Sequence, residues 1–175
     1  MKPALFALLL VAGAASAADP LATVGDVDLA RYAGQWHEVA RYPNRFQQQC
    51  IADTTATYAL RDDGKVSVVN RCRTRDGHDE VNGVARRVDG RTDRLQVSFL
   101  PAALRWLPIG WGDYWVIELA PDYRYSVVGE PSRQYLWVLS RTPELSPEDR
   151  RAIETRLPAH GYDAARLVES PHGKN

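Results

Sequence analysis

The sequence predicts an all-β protein, an eight-stranded antiparallel up-and-down barrel with one C-terminal α-helix packed outside. Three observations lead there. Eight short runs rich in Val, Thr, Tyr and Trp lie between residues 36 and 140, parted by turn signals and by no helical periodicity. Gly34-Gln35-Trp36 opens the first run and Arg141 closes the last, so closing the sheet can lay a guanidinium over an indole at one end. A single helix signal follows the last run, where an outer packing face would need covering.

Taken in order, the strand runs are 36–42, 52–60, 65–73, 80–88, 94–100, 114–119, 125–128 and 135–140. Arg61-Asp62-Asp63-Gly64, Asp89-Gly90, Ala120-Pro121-Asp122 and Glu130-Pro131-Ser132 supply turn chemistry between them. The helix starts at Ser146 as N-cap, with Pro147 at its first position and Glu148 and Asp149 at the positive end of the helix dipole. Ile153 and Leu157 form its narrow apolar stripe, and Gly161 ends it. Residues 165–169 could add a short ninth strand.

Ahead of the barrel, Met1-Lys2, the apolar run 4–11 and Ala15-Ser16-Ala17 read as a secretory signal peptide (1–17), leaving one domain over 18–175. The apolar run is too short to span a bilayer, and no cysteine at the cleavage site invites a lipid anchor. The 22 basic and 22 acidic residues balance, which gives no electrostatic case for nucleic acid. In an exported chain the only two cysteines, Cys50 and Cys72, should pair. Pairing Leu60 with Lys65 across the first hairpin sets Cys72 opposite Asp53, so a slight bend near Cys50 would join the sulfurs.

Alternation sorts the strands into two faces. Tyr135, Trp137, Leu139 and Arg141 share one face of the last strand, and Leu136, Val138 and Ser140 the other. Trp36, Glu38, Ala40 and Tyr42 are assigned inward because His37 and Arg41 belong more readily in water. Tyr114, Val116 and Glu118 share a face in the sixth strand, as do Leu95, Val97 and Phe99 in the fifth. The expected ligand-binding lining is therefore Glu38, Ala40, Tyr42, Phe99, Tyr114, Val116, Tyr135 and Trp137, with Trp36 and Arg141 as the floor. Eight strands leave room for one small ligand, and tyrosine hydroxyls can hold a carboxylate or phosphate within an apolar wall. A filled core without ligand is the plainer alternative.

Catalytic and metal signals are weak. His37, His78, His160 and His172 are scattered without zinc spacing, and no G-x-S-x-G elbow occurs. Glu38 and Glu118, both expected inward, read better as parts of an ion-pair network than as a catalytic pair. No cofactor, metal or catalytic residue is expected.

Several segments carry a resemblance. Gly34-Gln35-Trp36-His37-Glu38-Val39-Ala40-Arg41 matches the first lipocalin motif, built on G-x-W. Asp122-Tyr123 matches the second, T-D-Y, with Pro121 in place of its threonine, and Ser140-Arg141-Thr142-Pro143 the third. The chain thus resembles the lipocalins, more narrowly the bacterial branch related to apolipoprotein D, over about 27–169. The resemblance implies binding of a fatty acid or lysophospholipid, storage or transport for membrane maintenance under stress, and homodimers in some relatives. Bacterial relatives are often outer-membrane lipoproteins with an anchoring cysteine at the cleavage site; this sequence departs there, which favours a soluble or peripherally attached protein of the periplasm over an anchored one. The alternative is an enzyme on the same scaffold, acting on a lipid or hydrophobic small molecule.

The connection 101–112 contains Trp106, Trp111, two leucines and an isoleucine among Pro and Gly. In an up-and-down barrel it shares an end with the 43–51 connection, which offers Arg45 and Phe46. Phe46, Trp106 and Trp111 are expected at the mouth. The loop either forms an apolar rim for a membrane surface or second subunit, or folds inward over the cavity.

Overall fold

The computed structural model describes residues 19–173; the expected signal peptide lies outside them. A four-residue helix α1 (Leu29–Tyr32) precedes β1 (Gly34–Arg41), β2 (Ala52–Leu60), β3 (Val66–Thr74), β4 (Gly77–Arg87) and β5 (Arg94–Ser98). Then come β6 (Gly112–Leu119), β7 (Tyr125–Gly129), β8 (Leu136–Ser140), α2 (Pro147–Arg156) and a two-residue β9 (Val168–Glu169). Consecutive strands pair antiparallel from β1 to β8, and β1 pairs back onto β8, which closes the barrel. Closure removes the exposed sheet edges of an open sheet. The first four residues of β1 pair with β2, whereas its last two pair with β9, so the C-terminal strand fills the gap where β1 and β2 part.

Two apolar clusters result. The inner one contains Trp36, Ala56, Tyr58, Val68, Ala85, Leu95, Val116, Val128 and Leu139. The outer one contains Val39, Ala40, Tyr42, Ile117, Val127, Leu136, Val138, Ile153 and Leu157, and seats α2 on the wall. Ser146 caps α2 by accepting from the Asp149 amide at 3.0 Å, with Pro147 at the first position. Gly161 ends the following single turn at φ 76°, left-handed backbone that glycine takes without strain.

Four expectations are corrected. Leu60 pairs with Val66, not Lys65, and a register shift lies between Ala52 and Thr55 on β2. The disulfide Cys50–Cys72 nevertheless forms, with Cα atoms 5.5 Å apart, because that bulge supplies the bend near Cys50. A second bulge falls in β1, where Glu38 faces Leu139 but Ala40 faces Val138. Two steps on β1 thus match one on β8, and Ala40 and Tyr42 turn outward beneath α2 while Arg41 comes opposite the inner residue Trp137. A third bulge, between Val116 and Glu118 on β6, turns Glu118 outward to His160 at 2.9 Å and Arg156 at 3.3 Å. Helix α1 was unexpected as well. Asp28 caps it by accepting from the Ala30 and Arg31 amides, and four residues are too few to show a period.

Candidate ligand-binding site

The closed end is built around Trp36, which is fully buried. Arg141 lies over its indole, guanidinium carbon 3.8 Å from the ring centroid. The same guanidinium donates to the carbonyls of Gln35 (2.9 Å), Arg31 (2.7 Å) and Ala33 (3.0 Å), so it closes the C-terminal end of α1 while stacking on the floor. Trp36 Nε1 donates to the Tyr32 carbonyl at 2.8 Å. Gly34 sits at φ 93°, and a Cβ there would lie 3.4 Å from the arginine Nη1; the glycine of the G-x-W motif answers both the backbone and the close approach.

Above the floor, three tyrosines cross the interior. Tyr32 and Tyr114 hydroxyls are 2.8 Å apart, Tyr32 also meets Ser126 at 2.9 Å, and Tyr114 donates to Tyr58 at 3.0 Å. Burial pushes Tyr32 up to about 12 and holds Tyr58 and Tyr114 well above the ordinary tyrosine value, so all three stay neutral. Tyr114 and Val116, both expected to line the ligand site, face this interior. Asn70 shares the inner face with Ala56 and Val68 by register, and its buried side-chain oxygen has no partner among the described residues.

The mouth is assembled from β1, β8 and the β1–β2 connection. Glu38 points inward and is almost fully buried. It accepts from Ser170 Oγ at 2.5 Å and from Gln47 Nε2 at 2.6 Å, and Arg41 Nε lies 3.3 Å away. Gln47 reaches in from the connection and also accepts from Trp137 Nε1 at 3.0 Å and Asn44 Nδ2 at 2.8 Å. Burial raises the Glu38 carboxyl, although these donors pull it back toward the charged form. Trp137 stacks on Tyr135 with ring planes 18° apart, and Phe46 packs against Tyr135 at 5.4 Å between centroids. Phe99 lies across the inner face of β4 at Gly83, where any Cβ would strike its ring at 2.7 Å.

Of the eight expected lining residues, six therefore face the interior or its opening: Glu38, Phe99, Tyr114, Val116, Tyr135 and Trp137. Ala40 and Tyr42 do not, for the bulge reason given above. Sequence reasoning missed Arg41, Gln47, Tyr32 and Tyr58. Tyr58 was within reach, since it alternates with Ala56 on a run already read as a strand; Gln47, in a loop of three consecutive glutamines, carries no such signal. Phe46 is at the opening, but Trp111 is not. It lies on the outer wall with Arg86 3.9 Å from its ring centroid, and Trp106 stands beside it, more than three-quarters exposed. The 101–112 connection thus carries both of its tryptophans on the outer wall. Among the described residues, no three metal-ligating side chains gather at one place.

A closed antiparallel barrel, a G-x-W glycine under an arginine and a helix on the outer wall define the lipocalin class of binding proteins. The sequence comparisons agree. Residues 27–172 match the lipocalin-like domain, and the chain belongs to the lipocalin family. It is 37% identical over 151 residues to temperature-induced lipocalin-1 of Arabidopsis thaliana, covering 85% of this chain and 81% of that protein. It is 33% identical over 172 residues to the outer membrane lipoprotein Blc of Escherichia coli, covering 93% and 90%. Insecticyanin from the tobacco hornworm Manduca sexta shares the fold, with a TM-score of 0.68 at 19% identity, covering 87% of this chain and 84% of that one. As a lipocalin, the chain falls in a family that binds small hydrophobic ligands.

Proposed function

We propose that the barrel takes up one fatty acyl chain, from a fatty acid or lysophospholipid, and that the protein stores or carries it for membrane maintenance under stress. The observation that carries this reading is the composition of the inner face. Val68, Ala85, Val116, Val128 and Leu139, closely packed in this structure, share that face with Tyr135, Trp137 and Arg41 at the opening. An acyl chain suits the wall, and a carboxylate or phosphate suits Arg41 and the hydrogen-bond donors around it. Asn70, with its buried side-chain oxygen, offers a further polar contact inside. The three donors around Glu38 fit a positioning role for that carboxylate, not a catalytic one.

The names of two relatives, one temperature-induced and one an outer membrane lipoprotein, support a stress-related role for an exported protein. We place this chain in the periplasm, peripheral at the outer membrane, after cleavage of residues 1–17. Native mass spectrometry of protein purified from the exported fraction tests the reading. The expected spectrum carries a one-to-one adduct with the mass of a fatty acid or lysophospholipid. Protein that arrives without an adduct and fails to bind either lipid in titration would overturn it.

A further inference from the structure

The outer wall of the barrel carries a second concave site that the acyl-chain reading does not use. Val84 and Ser98 face outward, paired by register, yet both are buried because the β5–β6 connection folds back over them. Leu100 fills the space beside Gly110, Trp111 lies on Arg86, and Trp111 Nε1 donates to the Arg105 carbonyl at 2.9 Å. Arg105 in turn donates to the Leu100 carbonyl at 2.8 Å. This knots the connection into a fixed shape. Between it and the β2–β3 hairpin remains a cleft of about 310 Å³.

The chemistry of that cleft is one-sided. Arg61, Lys65, Arg86 and Arg105 line it against a single carboxylate, Asp63. Asp63 is engaged by Arg61 at 3.1 Å and by Lys65 at 3.4 Å. Among the described residues, Arg86 and Arg105 meet neutral acceptors only, Gln96 Oε1 at 3.0 Å and the Leu100 carbonyl. The lining therefore holds a surplus of positive charge, in a chain whose total is balanced. Two aromatic rings flank it, and the same connection exposes its apolar residues outward: Leu104 is 44% exposed, Trp106 77% and Ile109 88%. Cations beside outward-pointing Trp, Leu and Ile side chains are the combination that suits a bilayer interface, where phosphates meet acyl chains.

We propose that this outer-wall cleft is a docking site for an anionic phospholipid surface. Lipid phosphates enter the cleft against Arg86 and Arg105, with Lys65 and Arg61 adding long-range attraction. Trp106, Ile109 and Leu104 enter the headgroup and upper acyl layer. Charge complementarity selects this occupant over an apolar partner, because the cleft walls would leave two arginines without a counter-charge in a dry protein interface. The site lies outside the barrel, so it does not depend on what the barrel holds.

Sedimentation with vesicles tests it, using the full chain without its signal peptide. The protein should bind phosphatidylglycerol vesicles and bind phosphatidylcholine vesicles far less. Binding should weaken as salt rises, since screening at 0.1 M acts over about 10 Å. Each arginine removed should weaken partition about fivefold, so Arg86→Gln/Arg105→Gln should lose roughly twenty-five-fold. Trp106→Ser/Ile109→Ser should abolish the blue shift of tryptophan emission on vesicles while leaving residual, salt-sensitive binding. Because Arg86 also braces Trp111, Lys65→Gln is a second charge variant that leaves that stack in place, and it should lose part of the affinity. Fatty acid titration should be unchanged in all of them, which separates failure here from failure of the barrel reading. Equal binding to both vesicle types, or charge variants that bind as wild type, would overturn the proposal. Saturation of the cleft by glycerol phosphate without any vesicle binding would assign it to a free anion and overturn the membrane reading.

Discussion

The closed end and the mouth of the barrel both bury aromatic rings and polar groups, but they satisfy them by different means. At the floor, Arg141 and Trp36 donate to main-chain carbonyls of residues 31–35, so every partner is fixed by backbone. At the mouth, Glu38, Gln47, Trp137 and Ser170 satisfy one another through side chains, one from the β1–β2 loop and one from the residue after β9. Backbone partners hold their positions as long as the fold exists, whereas side-chain partners can exchange for a ligand or water at modest cost. The floor is thus the part of the barrel that resists change, and the mouth the part that can respond.

Stability should be most sensitive at the floor. Trp36→Ala removes a fully buried ring and the platform for Arg141, and should cost about 3–5 kcal/mol by urea unfolding. A loss near 1 kcal/mol would mean that the floor collapses to fill the void and is no more rigid than the mouth. Next comes the tie between the two regions. The disulfide crosses 22 residues and fastens the mouth connection to β3; Cys50→Ala/Cys72→Ala should cost about 3 kcal/mol. Hydrogen exchange should speed up first in residues 43–51, with the floor amides unchanged. Loosening that began at the floor would reverse the comparison.

A third test separates the two faces of one strand. Trp137 faces the mouth, and Val138 packs under α2. Trp137→Ala should weaken fatty acid binding roughly tenfold, about 1.4 kcal/mol, with a small change in unfolding midpoint. Val138→Ala should lower the midpoint and leave affinity as it was. Matching affinities in the two variants would remove the mouth from the binding site.

What the sequence displayed and what it hid follow the same division. The floor was legible because its residues are held by short-range rules: Gly34 before Trp36, and Arg141 at the end of a strand that closure must bring alongside. Alternation also placed Tyr114, Val116 and Trp137 correctly on straight stretches of strand. It failed beyond the bulges. One extra residue at 38–40 reverses every later assignment, which is why Ala40 and Tyr42 were expected inward and Arg41 outward. Glu118 was misplaced for the same reason on β6. A bulge is decided by how two strands match in twist and length, information spread over both strands and not present in either alone. Gln47 was hidden by a different cause, since a loop side chain finds its partner only after the disulfide and the neighbouring strand have placed the loop.

The smallest expected effect concerns pH, and it asks whether the mouth responds where the floor does not. Burial raises the Glu38 carboxyl above its ordinary value of 4.5, against the pull of Ser170, Gln47 and Arg41. A raised carboxyl binds its proton more tightly in the folded chain than in the unfolded one. Its contribution to stability is therefore complete below about pH 4.5 and is lost as pH rises through the folded value. Asp149 and Asp53, held below the ordinary carboxylate range by Arg124 and by the Gly173 amide, tilt the whole-protein profile the other way. The informative quantity is thus the difference between wild type and Glu38→Gln, measured by urea midpoints from pH 4 to pH 7. Relative to wild type, the glutamine variant should gain stability as pH rises across that range. Arg141→Met, which removes a floor cation that stays charged throughout, should be destabilised by the same amount at every pH. A flat difference for Glu38→Gln would show that its three donors cancel the burial, and that the mouth is as indifferent to protons as the floor.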